Sequence, residues 1–176
     1  MKKKNANRTQ QPEFSRPVEK YFYELDNTFA SGNKRLYAVC LAFPFFGVMG
    51  LIWMVPFPQF DFLVKLNMHT FLNWGSFFIA ITIYLYLKLS PTLSYAILFS
   101  IAAMSFFIVQ LEYVERDGGP SVVLVCTLIS VISLLALWVL AKRESKPVNG
   151  NDFIKLLTVG PIWLWSKVFD KLKIKY

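Results

Sequence analysis

"SGNKRLYAVCLAFP", residues 31–44, is where the chain turns from polar to apolar. A small polar turn and two cations, Lys34 and Arg35, are followed by twenty residues, Leu36 to Val55, without a charge. At about 1.5 Å per residue such a run covers the roughly 30 Å of a hydrocarbon core. Three further runs lack Asp, Glu, Lys and Arg: Phe71 to Leu87, Leu89 to Val109 and Ser121 to Ala141, each of 17 to 21 residues. None of the four alternates with period two, and in lipid only helices or closed barrels satisfy the backbone. The pattern predicts an all-α membrane protein with four transmembrane helices.

Composition agrees. Hydrophobic residues make up 55% of the 176, with 17 Phe, 8 Tyr and 5 Trp. A soluble domain of this size has no core that could hide so much apolar side chain. The first 35 residues are polar and charged and lack the apolar centre of a cleavable signal peptide. Cys40 and Cys126 each fall inside a predicted span and read as small apolar fillers, with no CxxC spacing between them.

The placement of charge gives an orientation. Residues 1–35 carry 8 Lys/Arg and residues 142–176 another 8, which leaves Lys65, Lys88 and Arg116 for the connections. The positive-inside rule puts both termini on the cytoplasmic side, with 56–70 and 110–120 outside. The net charge of +8 is then a topology signal, with attraction to anionic headgroups, and not a sign of nucleic-acid binding.

Three regions follow. Residues 1–17 read as a disordered basic tail. Residues 18–141 form the four-span bundle with an interfacial helix at its start, where Val18, Tyr21, Phe22, Leu25 and Phe29 make a helical stripe. Pro44 and Gly47 mark a place for a kink in the first span. Ala96, Ser100 and Ser105 permit close packing of the third. Residues 142–176 give a polar linker, with Asn151 or Asp152 as cap, and a C-terminal amphipathic helix in the interface plane. Its apolar positions are 165, 168, 169 and 172, its anchors Trp163 and Trp165, and Gly160-Pro161 is expected to split it in two.

Signs of chemistry are sparse. The single histidine, His69, has only Asp61 near it in the outer link, and zinc-type sites need three or more ligands. Glu112 and Glu115 read as a solvated helix end, and Asn73 and Gln110 as polar groups that join helices inside or at the border of the membrane. No nucleotide-binding, zincin or nucleophile-elbow motif occurs.

Several stretches together resemble one family. They are "GNKRLYAVCLAFP" with "GLIWMVPFP", then "YLYLKLSPTL", then "SKP" with the closing "DFIKLLTVGPIWLWSKVFDKLKIKY". In this order and spacing they resemble the small multi-span membrane proteins that include the iron-dependent 2-hydroxy-fatty-acid dioxygenase of fatty-acid alpha-oxidation. That family carries His-x4-Asn-x3-His before the first span. With Asn33 laid on the asparagine, Thr28 and Tyr37 stand where the histidines belong. A further His-x2-Glu of the family falls on Leu140 and Arg143. Hydroxyl groups replace imidazole poorly on Fe(II), so the resemblance implies iron in the family and no metal cofactor here.

Three readings stay open. One is a divergent family member without the iron site that binds a lipid or isoprenoid ligand in a membrane-facing cavity, with Asn33 and Tyr37 as ligand contacts. Another is a metal-free enzyme on such a substrate, with Asn33, Tyr37, Thr28, Asp26 and Glu24 as candidate acid/base groups at the cytoplasmic mouth. The third is a structural or transport subunit of a membrane complex.

Overall fold

The computed structural model describes Phe14, residues 16–58, Lys65 and residues 72–176. Most of the predicted tail 1–17, and Asp61 and His69 of the outer link, lie outside the described residues. Among those described there are six helices and no strand: α1 Pro17–Thr28, α2 Lys34–Trp53, α3 Trp74–Leu89, α4 Pro91–Arg116, α5 Val122–Lys142 and α6 Gly150–Leu172.

Local chemistry sets where these helices begin. Asn33, Asn73 and Ser121 each precede a helix and accept a hydrogen bond from the backbone N–H of Arg35, Ser76 and Leu124. Each thereby satisfies one of the donors a helix start leaves unpaired. Pro17 and Pro91 stand in the first turns of α1 and α4, where a missing N–H costs nothing. Asn73 is thus a cap and not a polar group within a span. The cap of α6 is Asn149, two residues before the earliest expected position, with Asp152 accepting from its N–H at 3.3 Å. At the other end of α4, Gly118 turns the chain with φ 90°, and Glu115 accepts from the N–H of Val122 at 2.9 Å.

Three helices, and not four, are long and apolar enough to cross a membrane: α2, α4 and α5. The second predicted span is the exception. Its helix, α3, has 16 residues and reaches about 24 Å, because Asn73 starts it late and Ser90 ends it. The all-α class holds, with three helices able to span and one shorter apolar helix beside them. Their outer faces expose Ile81, Phe99, Phe106 and Ile132, as surfaces that meet acyl chains do.

The most extensive pairing is between α2 and α5. Two glycines let the backbones approach: a Cβ on Gly47 would stand 2.0 Å from Ser130 Oγ and 2.6 Å from the Cys126 carbonyl oxygen, and one on Gly50 2.4 Å from Cys126 Sγ. Packing of this kind substitutes for the hydrophobic effect, which is absent between helices in lipid. Ala96 is buried as expected of a small packing residue, while Ser100 and Ser105 turn their hydroxyls back to carbonyls of their own helix.

The amphipathic helices pack on the bundle. In α1, Val18, Phe22, Leu25 and the following Phe29 are buried, while Tyr21 is exposed. α6 is one continuous helix through Gly160-Pro161, not two. Its buried stripe is Leu156, Val159, Ile162, Trp163 and Ser166, whereas Val168 and Leu172 are exposed. Gly160 packs against Leu41, where a Cβ would come within 2.8 Å, so the glycine serves a close approach of α6 to α2 and not a break in α6.

Candidate functional site

One end of the bundle collects the start of α2, the turn between α3 and α4, the end of α5, and both amphipathic helices. Hydrogen bonds between elements fix this arrangement. Tyr37 Oη donates to Glu144 Oε1 at 2.8 Å, joining α2 to the residues after α5. Tyr86 Oη donates to the Thr158 carbonyl at 2.7 Å, and Trp165 Nε1 to Ser100 Oγ at 3.2 Å, tying α6 to α3 and α4. This is the basic end, with Lys34, Arg35, Lys88, Lys142 and the positive face of α6.

Two polar clusters sit side by side there. In the first, the fully buried Tyr37 and the backbone N–H of Ser31 (3.0 Å) share the carboxylate of Glu144, and Ser31 Oγ meets Ser145 Oγ at 2.5 Å. Gly32 passes directly over the pair: a Cβ would stand 2.3 Å from Glu144 Oε1 and 2.4 Å from Tyr37 Cε2. In the second, Asp26 accepts from Trp163 Nε1 at 3.1 Å and from Lys167 Nζ at 2.6 Å. Lys34 bridges the two. Its ammonium lies 4.7 Å from the centre of the Trp163 ring and donates to the carbonyl of Phe29, whose own ring meets Tyr37 edge-on at 5.4 Å.

The candidates named from sequence therefore separate. Asp26 and Tyr37 belong to these clusters. Glu24 stands apart, paired with Lys155 at 2.7 Å, and that hydrogen bond holds the Lys155 ammonium above its ordinary range. Asn33 is occupied in capping α2. Thr28 ends α1, half-buried, with no side-chain hydrogen bond among the described residues. None of the five lines the cleft beside these clusters.

A cavity does exist, and its lining is different. A cleft of about 710 Å³ lies between α2, α4 and α6, with Tyr86 reaching in from α3. Leu41, Ala42, Phe45, Ile97, Ile101 and Met104 form its α2 and α4 walls, Leu164 and Trp165 its α6 side. At the mouth stand Lys34, Arg35, Lys167 and Lys171, and the exposed Ala38 and Val168 leave it open at the surface. Asn33 and Tyr37, expected as ligand contacts, lie outside it. The residues that sequence reasoning missed are these four cations and Glu144. The cations were visible only as topology charges. Glu144 had one signal, its place in "KRESKP" at the same membrane border as residues 31–37.

The iron suggested by the resemblance can be tested against the donor set. Among the described residues no group of three His, Cys, Asp or Glu side chains could hold a metal ion. At the four positions in question, Thr28 offers only a hydroxyl, Tyr37 donates its own to Glu144, Leu140 is aliphatic, and Arg143 is an exposed cation ending α5. These residues do not fit Fe(II). Compared with known proteins, the chain matches no family model, no curated relative and no solved structure.

Proposed function

We propose that this protein is a membrane-embedded binding protein for an anionic, amphipathic lipid, held in the cleft between α2, α4 and α6. One observation carries the reading: a cavity of about 710 Å³ with apolar walls and four cationic side chains at its mouth. That volume is in the range of small-ligand sites, roughly 300–1,000 Å³. The lining divides as an amphiphile does. From Lys34 at the mouth to Phe45 in the wall, α2 advances roughly 16 Å, a depth suited to a chain lying along the helix. Each methylene drawn from water into such a wall contributes about 0.8 kcal/mol, and cations at the mouth add selectivity for a negative headgroup.

On this reading the chain is a divergent relative of the dioxygenase-like family that keeps a lipid cavity without the iron histidines. The polar clusters beside the cleft act as its frame. They hold Lys34 and Lys167 in place and fasten α1 and α6 over the bundle.

Photo-crosslinking tests the reading. A fatty-acyl probe with a mid-chain diazirine, added to the full chain in bilayers, should label peptides bearing Ala42, Ile101, Met104 and Leu164. Labelling confined to outward positions such as Phe99, Phe106 and Leu135 would overturn it.

A further inference from the structure

The charges at the cleft mouth specify more than a negative sign. We infer that the headgroup taken there is a phosphate ester on a single-chain lipid, an inference that rests on the lipid-binding reading above. Four cations line the mouth: Lys34, Arg35, Lys167 and Lys171. Two carboxylates stand next to them. Asp26 pairs with Lys167, and Glu144 beside Lys34 accepts from Tyr37 and Ser31. Neither carboxylate lines the cleft, whose own lining holds the four cations and no acid. A phosphomonoester carries about −1.5 to −2 at neutral pH and meets more of that positive excess than a singly charged carboxylate does.

The residue types agree with the count. Arg35 presents a planar fork that matches phosphate oxygens two at a time, and lysines supply point charges around it. Lys167 and Lys171 are four residues apart on α6 and so share one face. Among the described residues neither Arg35 nor Lys171 is in an ion pair, and both are exposed. Asp170, next to Lys171, is engaged by the Tyr176 hydroxyl at 3.5 Å and does not line the cleft. Lys34 is the most engaged of the four: it is half-buried, and its ammonium lies over the Trp163 ring and donates to the Phe29 carbonyl. The chain number follows from the walls. A cavity of about 710 Å³ with these walls has room for one chain and its headgroup.

Calorimetric titration of the full chain in a nonionic maltoside detergent decides the matter, with dodecyl phosphate, dodecanoate and dodecanol as probes. Dodecyl phosphate should bind at least ~10-fold more tightly than dodecanoate, with an affinity that falls as salt is raised. The double variant Arg35→Gln/Lys171→Gln, which alters exposed side chains only, should lose that preference and the salt dependence with it, at an unfolding midpoint equal to the parent's. Equal affinities for phosphate and carboxylate would overturn the phosphate assignment while the lipid-binding reading stands. Failure of all three probes to bind saturably would overturn both.

Discussion

Gly32 shows how much of this end of the molecule depends on single atoms. The chain must pass over Tyr37 and Glu144 so closely that a methyl group has no room. Tyr37 is fully buried and pressed by Phe29, so it cannot give way. Gly32→Ala should therefore cost about 1–3 kcal/mol, the range for overpacking or breaking such a bond, read as a lowered unfolding midpoint in detergent. Tyr37→Phe, which only removes the hydroxyl, should cost less, about 0.5–1.5 kcal/mol. Combined with Glu144→Gln its effect should be non-additive, because the two share one hydrogen bond. Additive losses would show that the bond contributes nothing. At this scale the sequence was legible in part. A polar residue before an apolar run is a cap signature, and Asn33 fits it, yet family resemblance drew attention to it as a site residue. Glu144 could not be paired with Tyr37 from sequence, since 107 positions separate them and only the fold closes the distance.

Helices were legible where they are long, apolar and clearly begun, α2 and α5 by a cap and α4 by Pro91. The apolar run of α3 was legible too, but its reach was not: charge-free residues include those outside the helix, and only the Asn73 cap shows where it starts. α6 failed in a different way. Gly160-Pro161 is a strong local signal for a break, yet the helix runs through it, packed there against Leu41. The same contact gives a test. Gly160→Leu should force α6 away from α2 and destabilise by about 1–3 kcal/mol, whereas substitution of the exposed Ile154 on the same helix should be close to neutral. Equal effects at the two positions would contradict the packing described. Gly47→Val should be worse tolerated than either. Its nearest obstacle includes the Cys126 carbonyl, which belongs to the backbone of α5 and cannot rotate aside.

Across the whole molecule, two amphipathic helices close the basic end of a bundle in which three helices can cross a membrane, and a cleft remains open beside them. The ion pairs Glu24–Lys155 and Asp26–Lys167 that fasten α1 to α6 are partly solvent-exposed, so each contributes at most about 1 kcal/mol. Most of the attachment comes from the buried Val18, Phe22, Leu25, Ile162 and Trp163. The cleft itself was illegible in the sequence, because its walls are residues any span would carry and its cations serve equally to orient the chain. Native mass spectrometry of the full chain, released from a mild detergent, tests the cleft most directly. One bound single-chain anionic lipid per protein is expected, and Ala42→Trp, which fills the cavity from the α2 wall, should abolish it without lowering the unfolding midpoint. A protein that carries no lipid, or a variant that carries the same lipid as the parent, would contradict the assignment of the cleft as its binding site.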